Sequence, residues 1–138
     1  MTVRITAVAL VAALGFGVIG ATAAKPKKVS SKVTVAFDPG NSSDPYDPYA
    51  QSSFEGRVKS KNRKKKCKRG RTVTVKEIGA GKVGTAKTDR KGKYDVSAGD
   101  VLEPGEYEEF STFYAQVKKK RKGKTICKKA KSRIIVAP

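Results

Sequence analysis

No histidine occurs anywhere in the 138 residues. That removes the commonest general base and the commonest nitrogen ligand for metals. Tryptophan is absent too, and aromatic residues make up only 7% of the chain, so the core must be modest. There are only two cysteines, Cys67 and Cys127. Two thiols without histidine do not complete a zinc site. Acids are scarce: 12 Asp and Glu against 31 Lys and Arg, a formal charge of +19. No carboxylate run has the D-x-D-x-D-G spacing of an EF-hand loop. No motif sets a nucleophile beside a base. The composition therefore argues against an enzyme and calls for no cofactor. It also leaves no segment with a helical period.

What is present begins with export. Residues 1–23 read as a cleaved secretory signal: Arg4 is followed by a long uncharged stretch and by the small residues Ala21, Thr22 and Ala23. The stretch is about long enough to span a bilayer, but Gly15, Gly17 and Gly20 suit a cleaved signal better. The expected location is secreted or in the cell envelope, with no transmembrane span after cleavage. Loss of Arg4 leaves 30 cations against 12 acids. Outside the cytoplasm, two cysteines in a small domain imply a disulfide. If it is intramolecular, Cys67 pairs with Cys127 and closes a loop of about 60 residues, a constraint valued at roughly 4 kcal/mol.

The mature chain reads as short strands between turns. Val29, Val33, Val35 and Phe37 sit in an alternating strand, after a flexible basic leader. Residues 38–53 form a Pro-rich loop carrying Tyr46 and Tyr49. Phe54, Gly56 and Val58 alternate in a second strand, and Val73 and Val75 share one face of a third. Residues 61–70 are a basic loop holding Cys67. Residues 83–96 read as a β-hairpin around the polar turn Thr88-Asp89-Arg90-Lys91-Gly92. Phe113, Ala115 and Val117 face inward from another strand, and 120–124 is a basic turn. A short strand bears Cys127, and Ile134 and Val136 share a face of the last. The expected fold is an all-β antiparallel sandwich of about seven strands with one disulfide. The expected parts are residues 1–23 as signal, 24–53 as an N-terminal strand and loop, and 54–138 as the sandwich.

Thr88, Asp89, Gly92 and Tyr94 match the T-D-x-x-G-x-aromatic turn, and over 54–136 the chain resembles carboxypeptidase-regulatory-like domains. Phe54-x-Gly56-x-Val58, Pro104-Gly105-x-Tyr107 and Phe113-Tyr114-Ala115-x-Val117 fit more loosely. The resemblance implies a prealbumin-like sandwich and an accessory, scaffold or adhesion role, with no catalytic residues to carry over. It also looks like small exported bacterial proteins in which one disulfide bridges the equivalent strands. The four turn residues have a structural role on their own chemistry: Asp89 can accept backbone N–H bonds and Gly92 can take a positive φ.

Charge patterning supplies the functional clue. Residues 57–71 hold ten cations and no acid, and residues 118–133 hold ten more and no acid. A Cys67–Cys127 bond would lay the two runs side by side. Candidate anion-binding residues are Arg63, Lys64, Lys65, Lys66, Lys68 and Arg69 from the first run, with Lys118, Lys119, Lys120, Arg121 and Lys122 from the second. Six acids lie within 95–109, so the charge is expected to be bipolar. Expected ligands are anionic cell-wall polymers, acidic polysaccharide, phospholipid head groups or extracellular nucleic acid, bound without sequence specificity and in a salt-dependent way. No aromatics interleave with the cations, so base stacking is not indicated. The competing reading is a structural accessory domain with a protein partner, the charge being a solvated surface.

Overall fold

The computed structural model describes residues 23–41, 43, 45, 51–61, 65–98 and 110–137. Residues 1–22, most of the stretch read as an export signal, lie outside this set, as do Tyr46 and Tyr49, Arg63 and Lys64, and the acid-rich residues 99–109.

Two sheets face each other. The front sheet has the order β2 (Ser31–Asp38), β3 (Ser53–Ser60), β6 (Lys93–Ser97). The back sheet has the order β10 (Ala130–Lys131), β7 (Ser111–Val117), β4 (Thr72–Glu77), β5 (Gly81–Lys87), with β11 (Ile135–Ala137) also on β7. All pairings within these two sheets are antiparallel. The core is the set of alternating apolar residues from both inner faces. Val33, Phe54, Val58, Tyr94 and Val96 come from the front, and Val73, Val75, Phe113, Ala115 and Val117 from the back. Phe54 and Phe113 meet across the gap with ring centroids 4.6 Å apart, an ordinary tilted aromatic contact. The chain is therefore an all-β sandwich.

A third, small sheet closes one end. Its order is β1 (Lys27–Val29), β9 (Thr125–Cys127), β8 (Lys120–Lys122). β1 runs parallel to β9, and only Ser30 separates it from β2. Residues 27–29 of the basic leader and 120–122 of the basic turn at 120–124 are thus strands. Neither has the apolar alternation that marks a strand in sequence; backbone pairing beside the disulfide holds them. The basic loop around Cys67 likewise contains one helical turn, α1 (Lys65–Lys68).

The stretch at 83–96 is not a hairpin. β5 pairs with β4 in the back sheet, whereas β6 pairs with β3 in the front sheet. The turn between them carries the chain across the sandwich. Alternating arms around a polar turn look the same in both arrangements; what differs is whether the arms bond or face each other. Here they face: a Cβ on Gly84 would strike the Val96 side chain at 2.5 Å. The face that Ile134 and Val136 share at the C-terminus is the outer one, while Ile135 and Ala137 pack on the core.

Gly56 and Tyr94 share one row of the front sheet. A Cβ on Gly56 would collide with the Thr34 carbonyl and with the Tyr94 ring. The missing side chain lets Tyr94 lie across β3 and donate its hydroxyl to the Thr34 carbonyl. The Arg57 amide then donates to Thr34 Oγ1 at 3.1 Å in place of that carbonyl. Burial pushes the Tyr94 phenol far above its usual range. Its folded pKa is raised, so its contribution is fully present below pH 10 and is lost as pH rises beyond that, where only the unfolded chain ionises. Tyr94→Phe is expected to cost about 1 kcal/mol at neutral pH. The gap between wild type and variant, measured by urea titration, should shrink above pH 10. A gap independent of pH would count against this account.

Candidate functional site

The Cys67–Cys127 disulfide joins α1 to β9, with Cα atoms 5.3 Å apart. Both cysteines are fully buried and pack with Val29 of β1 in a small apolar cluster apart from the main core.

Arg71 lies beside this cluster and is 0% exposed. Its position follows from the strand period, since 71, 73 and 75 alternate inward along and just before β4. Nη1 donates to the Cys67 carbonyl at 2.9 Å and to Ser31 Oγ at 3.2 Å. Nη2 donates to the carbonyls of Lys118 at 2.7 Å and Lys128 at 3.0 Å. Nε has no partner. Desolvation lowers the Arg71 pKa, but a guanidinium keeps its charge in proteins. Carbonyl dipoles and a hydroxyl, rather than a carboxylate, replace its water. One side chain thereby ties the start of β2, α1, the end of β7 and the segment after β9 together.

The two basic runs meet here. Lys120 Nζ donates to the Gly70 carbonyl at 2.6 Å, and Lys122 Nζ donates to that of Arg69 at 2.8 Å. Cations of the second run thus satisfy free carbonyls that follow α1. Burial, followed by the positive charges of Lys120, Arg69 and Arg71, lowers the Lys122 pKa. Of the candidate anion-binding residues, Lys65, Lys66, Arg69, Lys118, Lys119, Lys120 and Arg121 are exposed, while Lys68 and Lys122 are half-buried. Arg63 and Lys64 lie outside the described residues. The structure adds Lys27 and Lys28, which the β1–β9 pairing sets opposite Thr125 and Ile126.

No family model, curated protein or solved structure matches this chain.

The four turn residues bind the rest of the fold to this pole. Thr88 is buried; its Oγ1 accepts from the Arg71 amide at 2.8 Å and donates to the Lys68 carbonyl. Asp89 Oδ1 accepts from the amides of Lys91 at 2.7 Å and Lys93 at 2.8 Å. The Lys93 amide is the main cause of its lowered pKa. Gly92 adopts φ +85°, and a Cβ there would strike the Val58 carbonyl. Each of these residues has a structural task.

Arg71 closes the first basic run, and its charge alone does not separate it from the solvated cations before it. Its alternation with Val73 and Val75 is the signal that marks it as buried. Chemically, the pole offers many fixed positive donors around a rigid, cross-linked frame. Among the described residues no three His, Cys, Asp or Glu gather as a metal site, and no helix is long and apolar enough to cross a membrane.

Proposed function

We propose that the chain is a noncatalytic binding module, exported from the cell, whose disulfide-linked pole takes anionic polymers. The observation that carries this reading is the joining of two acid-free basic runs through Cys67–Cys127, Arg71, Lys120 and Lys122. These cations spend hydrogen bonds on backbone carbonyls, which carry no net charge. Backbone carbonyls do not cancel the positive charge, and a bound polyanion relieves its self-repulsion. Acidic polysaccharide and anionic cell-wall polymer both offer repeated charge without requiring a shaped pocket. The resemblance to carboxypeptidase-regulatory-like domains supports an accessory or adhesive role for such binding.

Retention on immobilised heparin across a salt series tests the proposal. The mature protein should be held at about 0.15 M salt, where exposed charges interact over roughly 8 Å, and should elute as salt rises. Lys65→Glu, Lys66→Glu and Lys119→Glu together reverse three exposed charges without touching the carbonyl bonds above. This variant should elute at distinctly lower salt with unchanged thermal stability. No retention of the wild type near physiological salt would refute the proposal.

A further inference from the structure

The back sheet carries a second surface on its outer face. The exposed large hydrophobic residues among those described are Ile78 (48%), Phe110 (78%), Ile134 (54%) and Val136 (62%). They gather at one end of that one face. The Ile78 amide donates to the Thr112 carbonyl at 2.8 Å, which carries the β4–β7 ladder one residue past Glu77. Val136 pairs with Thr112 from the other side. Ile78, Thr112 and Val136 therefore form one row across the sheet. They are outward because Phe113 and Ala137, their neighbours in sequence on β7 and β11, face the core. Phe110 and Ile134 lie two residues from Thr112 and Val136 and share their face by alternation.

The rows beyond are cationic. Lys76 pairs with Tyr114 on one side and with Lys82 on the other. Lys131 Nζ sits 3.7 Å from the Tyr114 ring centroid, a cation–π contact. Lys118 continues the same face toward the disulfide end in a shallow polar hollow with Lys76 and Lys82. Among the described residues, Glu77 is the acid that lines the hollow beside Lys76, Ile78 and Lys131; Glu106, Glu108 and Glu109 precede Phe110 in the sequence, outside the described residues.

We propose that this face docks on the surface of a bilayer containing anionic phospholipid. Phe110, Ile78 and Val136 enter the apolar boundary, and Lys76, Lys82 and Lys131 meet the head groups. The partner must match both halves of the face. A soluble polyanion satisfies only the lysines and leaves the apolar end in water. An anionic bilayer offers negative charge at its surface and hydrocarbon directly beneath it. The apolar residues stand beside strand ends, Ile78 just after β4 and Phe110 just before β7, which suits side chains that penetrate a soft surface. Lysine stems can lie along the apolar boundary with their ammonium groups in the head-group layer. This surface is distinct from the disulfide pole and does not depend on the polymer reading.

Co-sedimentation of the mature protein with vesicles provides the test. Binding is expected to vesicles of phosphatidylglycerol mixed with phosphatidylcholine, and far less to phosphatidylcholine alone. Phe110→Ser with Val136→Ser should reduce partitioning by about tenfold or more, because two exposed side chains lose their burial in lipid. The same variant should keep its melting temperature and its heparin retention, since neither side chain is in the core or the pole. The proposal is overturned if the mixed vesicles bind no protein, or if wild type and variant bind them equally. It is equally overturned if the wild type proves to be a dimer that this variant dissociates, because the face would then serve a second copy of the chain.

Discussion

Arg71→Met is expected to destabilise the protein by about 3–5 kcal/mol, because several acceptors at a buried site lose a charged donor together. The substitution conserves much of the volume, so the loss is mainly polar. Four acceptors lose their donor at once: the carbonyls of Cys67, Lys118 and Lys128, and Ser31 Oγ. Each buried acceptor left unpaired costs about 1–3 kcal/mol. Removing a cation from among Arg69, Lys120 and Lys122 relieves some repulsion. Those neighbours reach solvent and are screened, so that relief is the smaller effect. Against a total stability of about 5–15 kcal/mol, the variant is at best marginal. Arg71→Lys should recover only part of the loss, because one ammonium has three donors and no planar fork. Urea titration of the oxidised proteins at equal salt checks this. A change within about 1 kcal/mol for Arg71→Met would mean that the carbonyls find other partners and that Arg71 is not the organiser described here.

Reduction of the disulfide is expected to cost roughly 4 kcal/mol, from the freedom regained by a 60-residue separation in the unfolded chain. For a domain of this size that corresponds to a fall in melting temperature of roughly 15–25 °C. The small sheet should be affected most, because β9 carries Cys127 and holds both β1 and β8. Heparin retention should weaken in parallel, since the bond holds the two basic runs at one pole. The check is thermal melting with and without reductant, alongside a Cys67→Ser, Cys127→Ser double variant. An unchanged melting temperature would remove the disulfide from the account of stability.

The strands of the two large sheets were legible because each carries a period of two. Val33, Phe54, Val58, Val73, Val75, Phe113, Ala115 and Val117 all appear inward in the sequence and are all buried. The partner of each strand was less legible, because alternation states which face is buried and not which strand lies opposite. Thus 83–96 read as a hairpin although its arms belong to different sheets. β1 carried little local signal beyond Val29, which reads as part of the strand that follows it. Its order comes from β9, nearly a hundred residues away, and no short window contains that information. At the pole, composition identified the cations but could not separate the buried Arg71 from its solvated neighbours. Its charge masked a position that the strand period already assigned to the interior. At 134 and 136 the alternation grouped two apolar residues correctly but did not say that Ile135 and Ala137 take the core.

The pairing of β1 with β9 also governs when this protein can finish folding. Residues 27–29 must wait for residues 125–127. The small sheet therefore closes one of the longest loops the chain allows, which is entropically costly and slow. Until Cys127 arrives, Cys67 has no partner within the chain, so no premature intramolecular bridge can trap a partial structure. A polypeptide synthesised from its N-terminus stays open at this end until almost all of it has emerged. The last two dozen residues then complete the frame, set the bond and assemble the cationic pole in a single late event.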